Sequence, residues 1–442
     1  MSRLHDWRWP LAIALFACLS YQSLAVAGDA DTHALTLADA LARAEAHNPH
    51  LKISSASVAA ATAERDQAAR PANPELSLGY ENVAGSGAYT GTDSAETTLS
   101  ISQAFGGGRR ARAHVAAVEL ALAQDAQSLQ RLELAADTTR RFIAVVVAQE
   151  KLALAQRAEV LAVSTRDDLD KRAAAARAPI AERNRARMAW HRARLAIGRA
   201  ETDLALARRQ LAEQWETGEA GHGSADTADF SRVSGDLFAL PPVMDDSALL
   251  AALARSPLRT SLHNSEKLRV AEIAQARARS RPPVTASLGV RAFSNKNSAN
   301  TGDNALLFGI SLPIPLFNHN RGAIAASVAR LDVQHATNAI AQHDAQLRLL
   351  ALTAELKQAG AEADTLRNIT LPLANEALEQ TRYGFERGRF SWLELASVQQ
   401  ELIDTETAAI DAAASYHTLL ADLEALTGLA LIVPSSPTGD TP

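Results

Sequence analysis

The stretch Arg321-Gly-Ala-Ile-Ala-Ala-Ser-Val-Ala-Arg-Leu-Asp332 opens a helical run that continues to about Arg387 without a convincing stop. A twin run extends from Arg109 to about Ala176. At ~1.5 Å per residue each would be roughly 100 Å long if straight. That is far beyond the three or four turns usual in a globular helix. A soluble domain of this size has no use for two such rods, whereas a structure that crosses a wide gap does. The first run shows heptad-like spacing at Val115, Val118 and Leu122, then Leu129, Leu132 and Ala136, then Ile143 and Val146. The second is less regular, with Val328/Leu331 and Leu347/Leu350, and Leu371-Pro372 predicts a local kink. Alanine is abundant on both runs and aromatics make up only 5% of the chain, so the helices are expected to pack side by side into a wall, not around a thick core. An ordinary coiled-coil bundle would share this pattern.

Outward from each run lies a pair of short alternating segments. Leu76, Leu78 and Tyr80 alternate with Ser77, Gly79 and Glu81, and Leu99, Ile101 and Phe105 alternate with small residues. Val284, Ala286, Leu288 and Val290 alternate with Thr285, Ser287, Gly289 and Arg291, and Leu306, Phe308, Ile310 and Leu312 with Gly309 and Ser311. These read as strands at about 75–83, 96–105, 283–293 and 305–315. Helical segments at about 37–70 and 246–280 precede the two pairs, and segments at about 180–215 and 391–427 follow the two runs. Asn48-Pro49 is matched by Ser256-Pro257, Arg70-Pro71 by Arg281-Pro282, and Gly106-Gly-Gly-Arg-Arg by Asn318-His-Asn-Arg-Gly322. The offset stays near about 208–212 residues, which marks an internal duplication. The expected organisation is a first repeat over 28–245, containing the long helix 109–176 and an irregular connector 216–242, and a second repeat over 246–433 containing the long helix 321–387. A disordered tail would follow at 434–442. Within each repeat the two shorter helices sum to about one rod, so stacking them end to end would give a wall of uniform height.

Arg3 and Arg8 precede the apolar stretch Leu11–Leu19, and Ala25-Val26-Ala27 offers a small-residue cleavage site. Residues 1–27 therefore read as a secretory signal, too short to span a bilayer. Leu15-Phe-Ala-Cys18 weakly resembles a lipoprotein box, which would make Cys18 a lipidated first residue. Cys18 is the sole cysteine, so no disulfide framework or thiolate metal site is expected. The formal charge of −6 becomes one unit more acidic when the signal is lost, which argues against nucleic acid as a partner. No later stretch is apolar enough for a membrane helix, so a secreted chain that enters a membrane must do so as a β-barrel. Transmembrane strands need ~9–11 residues. Four strands cannot close a barrel when the smallest have ~8, so several chains must contribute, and three would give an even number.

The two rods must turn at their far ends. Tyr383-Gly-Phe-Glu-Arg-Gly388-Arg-Phe-Ser-Trp-Leu-Glu394 resembles the tip signature of the TolC family of outer-membrane efflux proteins: an aromatic residue, a glycine five positions on, then an acidic helix start. Lys171 to Arg187 is a degenerate counterpart with Ala176 in place of the glycine and Pro179 before the next helix. The two Gly/Asn/Arg-rich turns into the rods resemble the heavy-metal (CzcC-like) branch. The resemblance implies a mainly α protein with a small membrane β-barrel contribution. A homotrimer would form a 12-strand outer-membrane barrel on a 12-helix periplasmic α-barrel. It would meet outer-membrane lipid, a periplasmic adaptor (membrane fusion) protein and an inner-membrane RND-type pump. It further implies an entrance ring of carboxylates, for which Glu182 and Glu394 occupy matching places. Each equally suits the first turn of a helix. Tyr383, Arg387, Gly388, Arg389, Ala176 and Arg177 would form the helix-tip turns and the adaptor contact.

No nucleophile, base and orienting group recur at telling spacing, and Gly106-Gly-Gly108 lacks the Lys-Ser/Thr of a phosphate loop. No enzyme, cofactor or tight metal site is expected, since a conduit that binds its cargo tightly releases it slowly. The function expected is a passive outer-membrane channel of a tripartite exporter, with heavy-metal cations as cargo. A drug or protein exporter of the same family and a non-conducting secreted coiled-coil protein remain as alternatives.

Overall fold

The computed structural model describes residues 34–215, 230–242, 244–294 and 303–430. The expected signal with Cys18, connector residues 216–229 and the tail 434–442 lie outside the described residues. The chain runs α1 (Leu37–His47), α2 (Pro49–Ala68), β1 (Glu75–Glu81), β2 (Glu96–Phe105), α3 (Arg109–Ala174) and α4 (Ile180–Ala212). It continues through α5 (Asp246–Leu253), α6 (Pro257–Arg279), β3 (Val284–Phe293), β4 (Asn304–Ser311), α7 (Arg321–Thr365), α8 (Leu371–Glu386) and α9 (Trp392–Thr427). Helix starts follow from local chemistry. Thr36 and Asp39 close a capping box on α1, Asn48 caps α2 ahead of Pro49, and Ser256 caps α6 ahead of Pro257.

The four strands form one antiparallel sheet in the order β1-β2-β3-β4. Its register aligns Leu76, Ile101, Leu288 and Phe308 in one row and Leu78, Leu99, Val290 and Leu306 in the next. These side chains are about half or more exposed, Phe308 at 72% and Leu306 at 75%. The other face carries Ser77, Ser100 and Gly289, with Ser77 Oγ 2.7 Å from Ser100 Oγ. A Cβ placed on Gly289 would lie 2.7 Å from Ser100 Cβ, against ~4.5–5.5 Å for ordinary cross-strand pairs. The sheet is therefore curled toward its small-residue face, and only glycine fits at that point. The apolar face is convex.

Two strands are shorter than expected. β1 stops at Glu81, not at about 83, because Asn82 turns into the left-handed region. β4 stops at Ser311, not at about 315: Pro313 follows in register with Pro283 beyond the end of β3, and neither can donate to a ladder. The first rod is continuous but ends at Ala174. The second is not one α-helix, since a π-helical stretch at Leu366–Thr370 separates α7 from α8. Pro372 has no N–H, and its ring would strike the carbonyl four residues back. Widening the preceding turn removes that clash.

The helices form a wall. On the sheet side α2, α3, α6 and α7 lie side by side, and on the far side α4, α3, α9 and α7–α8 do so. The short helices stack end to end. Asn48 Nδ2 donates to Gln214 O at 2.8 Å where α4 meets α2, and Gly428 at the end of α9 lies against Pro257 at the start of α6. A belt wraps these joints. Leu35 pairs with Val233, Gln149 bonds the Val233 backbone on both sides, Tyr416 Oη donates to Pro241 O and His417 Nε2 to Leu237 O at 2.9 Å. Burial holds the His417 imidazole below its usual pKa range, which keeps it neutral there. Leu349, Leu352, Leu356, Leu420 and Leu423 are wholly buried beside it. Each contributes about 1.5–3 kcal/mol, while an exposed pair such as Lys357–Asp246 contributes ~0–1. Packing, not ion pairing, holds the belt. The expected second-rod contacts Val328, Leu347 and Leu350 instead point outward, because α7 sits at an edge of the wall and has two apolar faces.

Both rod ends turn through the same backbone motif. Arg177 N donates to Arg172 O at 2.8 Å and Arg389 N to Gly384 O at 2.8 Å. The residue before each is left-handed, Ala176 at φ 53° and Gly388 at φ 71°. A Cβ on Gly388 would meet nothing, so at this position the two turns differ only in the strain Ala176 stores. That strain is about 1–2 kcal/mol, less the roughly 0.4–1 kcal/mol glycine costs through the unfolded chain. Ala176→Gly should therefore stabilise by roughly 0.5–1 kcal/mol, and Gly388→Ala should destabilise by a similar amount. Thermal unfolding of each variant in detergent, followed by far-UV circular dichroism, checks both signs.

Candidate functional site: lumen face and helix tips

The tip end is a small core of its own. Leu169, Ala186, Leu378, Phe385, Trp392, Leu395 and Leu402 bury one another where α3, α4, α8 and α9 converge. Arg172 ties one turn to the other. Its Nη1 donates to Phe385 O at 3.0 Å, its Nη2 to Glu386 O at 3.3 Å, and its guanidinium lies 4.3 Å from the Phe385 ring centre. It thus satisfies the last carbonyls of α8 with a cation, the sign a helix C-terminus favours. Neither Arg172 nor this role was legible in sequence, because the contact joins the two halves of the chain. Gly384 was also missed. A Cβ there would stand 2.2 Å from the Phe390 ring, so the turn closes only over a glycine.

The sequence-predicted tip residues divide. Ala176, Arg177, Gly388 and Arg389 form the two turns as described. Arg387 stacks over Tyr383, 4.1 Å from its ring centre, and both are exposed. Glu394 is at the third position of α9, where its Oε2 accepts from Ser391 N at 2.7 Å and from Ser391 Oγ at 2.8 Å. Those two hydrogen bonds hold its carboxyl below the usual glutamate range. Glu182 occupies the first turn of α4 and makes no side-chain hydrogen bond or ion pair among the described residues. Nothing bonds the two carboxylates to each other. They are alike in position and unlike in constraint.

The concave sheet face and the tips are opposite ends of one wall. Along the middle of β1, β2 and β3 the lumen-side residues are small, as a water-filled bore with tight curvature requires, and the convex face has the composition of a lipid-facing surface. Among the described residues no group of three or more His, Cys, Asp or Glu side chains converges as metal ligands. No described helix is long and apolar enough to cross a membrane.

Residues 249–429 match the family model described as outer membrane efflux protein. The cobalt-zinc-cadmium resistance protein CzcC of Cupriavidus metallidurans is 28% identical over 83% of this chain and 84% of its own length. Among solved structures, a membrane protein from Pseudomonas aeruginosa superposes with a TM-score of 0.72 at 19% identity, covering 89% of this chain and 93% of that one. The outer membrane protein VceC of Vibrio cholerae does so with a TM-score of 0.72 at 16% identity, covering 89% and 96%. The match over the second half, the relative aligned over most of both lengths, and the shared sheet-and-wall fold agree with the tip turns and lumen face: residues 249–429 carry the outer membrane efflux protein pattern, and the chain resembles the TolC-like channels along most of its length.

Proposed function

We propose that three copies close head to tail into one duct that passes divalent metal cations from a periplasmic adaptor and an inner-membrane pump to the exterior. The observation that carries this reading is that every edge of the protomer is open. β1 and β4 each present an unpaired strand edge, and such an edge is a template for another chain. In the wall below, α4 packs against α3 on one side and α8 against α9 on the other, which leaves both outer faces free. A surface that differs on its two sides joins copies head to tail, and such contacts make a ring when the rotation closes.

The free helix faces are complementary. On α4, Met188 and Leu195 are exposed, flanked by exposed Arg185, Arg192 and Arg199 at seven-residue spacing. On the opposite edge Ile369 and Leu373 are exposed, flanked by exposed Glu362, Asp364, Glu376 and Glu379. Counted up from the helix ends at Ile180 and Glu386, Leu195 comes within one turn of Leu373, and Arg192 within one turn of Glu376. This is the arrangement of an apolar seam with charges on its flanks. Farther up, Val333, Ile340 and Leu347 form an exposed heptad stripe on α7. Tyr383, Arg387, Arg389 and Arg177 lie at the exposed tips, where an adaptor would seat. The metal cargo rests on the CzcC relative, whose name records cobalt, zinc and cadmium resistance.

Arg192→Glu should lower the temperature at which the purified trimer dissociates on native gels. Adding Glu376→Arg in the same chain should recover it, at about 0.2–1 kcal/mol per pair. If the double variant is no better than the single, the seam is misplaced.

Glu182 and Glu394 would form a six-carboxylate entrance ring. Glutamine can still close a capping box, so Glu394→Gln removes charge and keeps the cap, whereas Glu394→Ala removes both. Glu182→Gln with Glu394→Gln should reduce cation preference in planar bilayers without lowering thermal stability. Because the Ser391 hydrogen bonds lower the Glu394 pKa, its charge persists below the usual glutamate range and is lost only as pH falls through the depressed value. Cation preference should thus hold into more acid solution than a free glutamate allows. Unchanged reversal potentials in the double glutamine variant would remove the ring from the reading.

Deleting the gene should sensitise cells to zinc, cobalt or cadmium and leave dye tolerance intact. The reverse pattern would favour a drug duct of the same family.

A further inference from the structure

The four strands carry a single Lys or Arg, Arg291 on β3. The register puts it on the concave face, opposite Thr98 and in the parity of Ser287 and Gly289. Glu96 shares that face on β2, and Glu81 shares it on β1, directly opposite Glu96. All three lie at the strand ends joined by the hairpin connections 82–95 and 294–303, away from the helices. In the duct reading that end is the outer mouth.

The network is closely built. Arg291 Nη1 donates to Glu96 Oε2 at 2.7 Å and Nε donates to Thr98 Oγ1 at 3.0 Å. Nη2 lies 3.6 Å from Glu81 Oε2. Asn82, held in the left-handed region at φ 60°, donates its Nδ2 to Glu96 Oε1 at 3.0 Å. Both Glu96 oxygens are therefore occupied, and the Glu96 side chain is 21% exposed against 60% for Glu81. One guanidinium bridges two carboxylates on neighbouring strands. A planar fork with five donors suits that task, and the set keeps one net negative charge per protomer.

We propose that Arg291 is a built-in counter-ion that sets the ion selectivity of the outer mouth. It occupies the place between Glu81 and Glu96 that a divalent cation would otherwise take. A mouth ringed by paired, uncompensated carboxylates would attract cations strongly and hold them, and conduction requires that a site be weak enough to leave. With Arg291 in place the mouth remains anionic, so it still favours cations, but no two free carboxylates converge on one ion. The mouth thus discharges cargo without retaining it. This rests on the duct reading above and adds to it a determinant at the end remote from the tips.

The test is the purified full-length protein in planar bilayers under a KCl gradient, with cobalt chloride then added to the side facing the hairpin connections. Arg291→Gln should raise the cation-to-anion permeability ratio several-fold and create a cobalt block absent from the parent. Arg291→Lys should keep the parent's ratio and lack of block, because the positive charge between the two carboxylates is retained. Glu96→Gln, which leaves one carboxylate against the guanidinium, should shift the ratio toward anions, and it serves as the deciding variant where Arg291→Gln fails to assemble. Parent-like selectivity in a conducting Arg291→Gln or Glu96→Gln channel overturns the proposal and spares the duct. A parent protein that assembles in the bilayer yet never conducts overturns the duct reading itself.

Discussion

Backbone hydrogen bonding along β1 and β4 is incomplete in a single chain, and this shortfall governs the rest of the architecture. Hydrocarbon offers no water to satisfy a strand edge. The convex face that abuts those edges is too apolar to be left in water, with Leu306, Phe308 and Ile310 all more than half exposed. Removing the convex face from water and the edges from hydrocarbon at once requires closure of the sheet with further strands. Curvature toward the small-residue face is what makes closure geometrically possible. That is why Gly289 sits where a Cβ would strike Ser100. Small residues on the inside are thus a steric requirement of the bend before they are a property of the bore.

Below the sheet the same problem recurs in helical form. A wall one helix thick has two faces and two edges, and a rod of this length cannot hide more than a stripe. Alanine at the contacts brings neighbouring helices close, and the bulky side chains collect in the belt and at the tips. The joint between α4 and α2 and the joint between α9 and α6 both fall inside the belt. The residues of 230–242 that bond Gln149, Tyr416 and His417 therefore splint the wall where its shorter helices meet end to end. The continuous rods α3 and α7–α8 alternate with the broken ones. No cross-section of the wall is built from joints alone.

Much of this was legible because it is periodic. A period of two marked the strands and a period near seven marked α3, and the duplication let each landmark be checked against its partner. The joints were legible as Asn48-Pro49 and Ser256-Pro257, since a side-chain cap followed by proline is a helix start wherever it occurs. What could not be read depended on which neighbour a face would meet. Val328, Leu347 and Leu350 resemble core leucines in sequence and face outward in the fold, because α7 serves two partners and its pattern is the sum of both. Arg172, Gly384 and the Arg291 network were invisible for a related reason. Each is defined by contacts between segments far apart in the chain, and a lone Arg or Gly carries no period.

The two repeats share a backbone at the tips without sharing its chemistry, and that difference bears on how an entrance built from them would behave. Ala176 and Gly388 hold the same left-handed turn, one under strain and one without. Glu182 and Glu394 hold the same first-turn position, one unbonded and one tethered by two hydrogen bonds to Ser391. Around a closed threefold axis, tethered and unbonded carboxylates would therefore alternate. A tethered carboxylate keeps its charge and its place to lower pH, while an unbonded one is free to approach a passing cation and release it. Arg172, lodged under α8 from the end of α3, couples the two turns within each copy, so a shift of one turn carries the other with it. In the duct proposed above, an entrance that must widen would then do so by moving whole protomer tips apart along the proposed α4–α8 seams, which would join exposed charges and a few apolar side chains, and not by unpicking the buried tip cores.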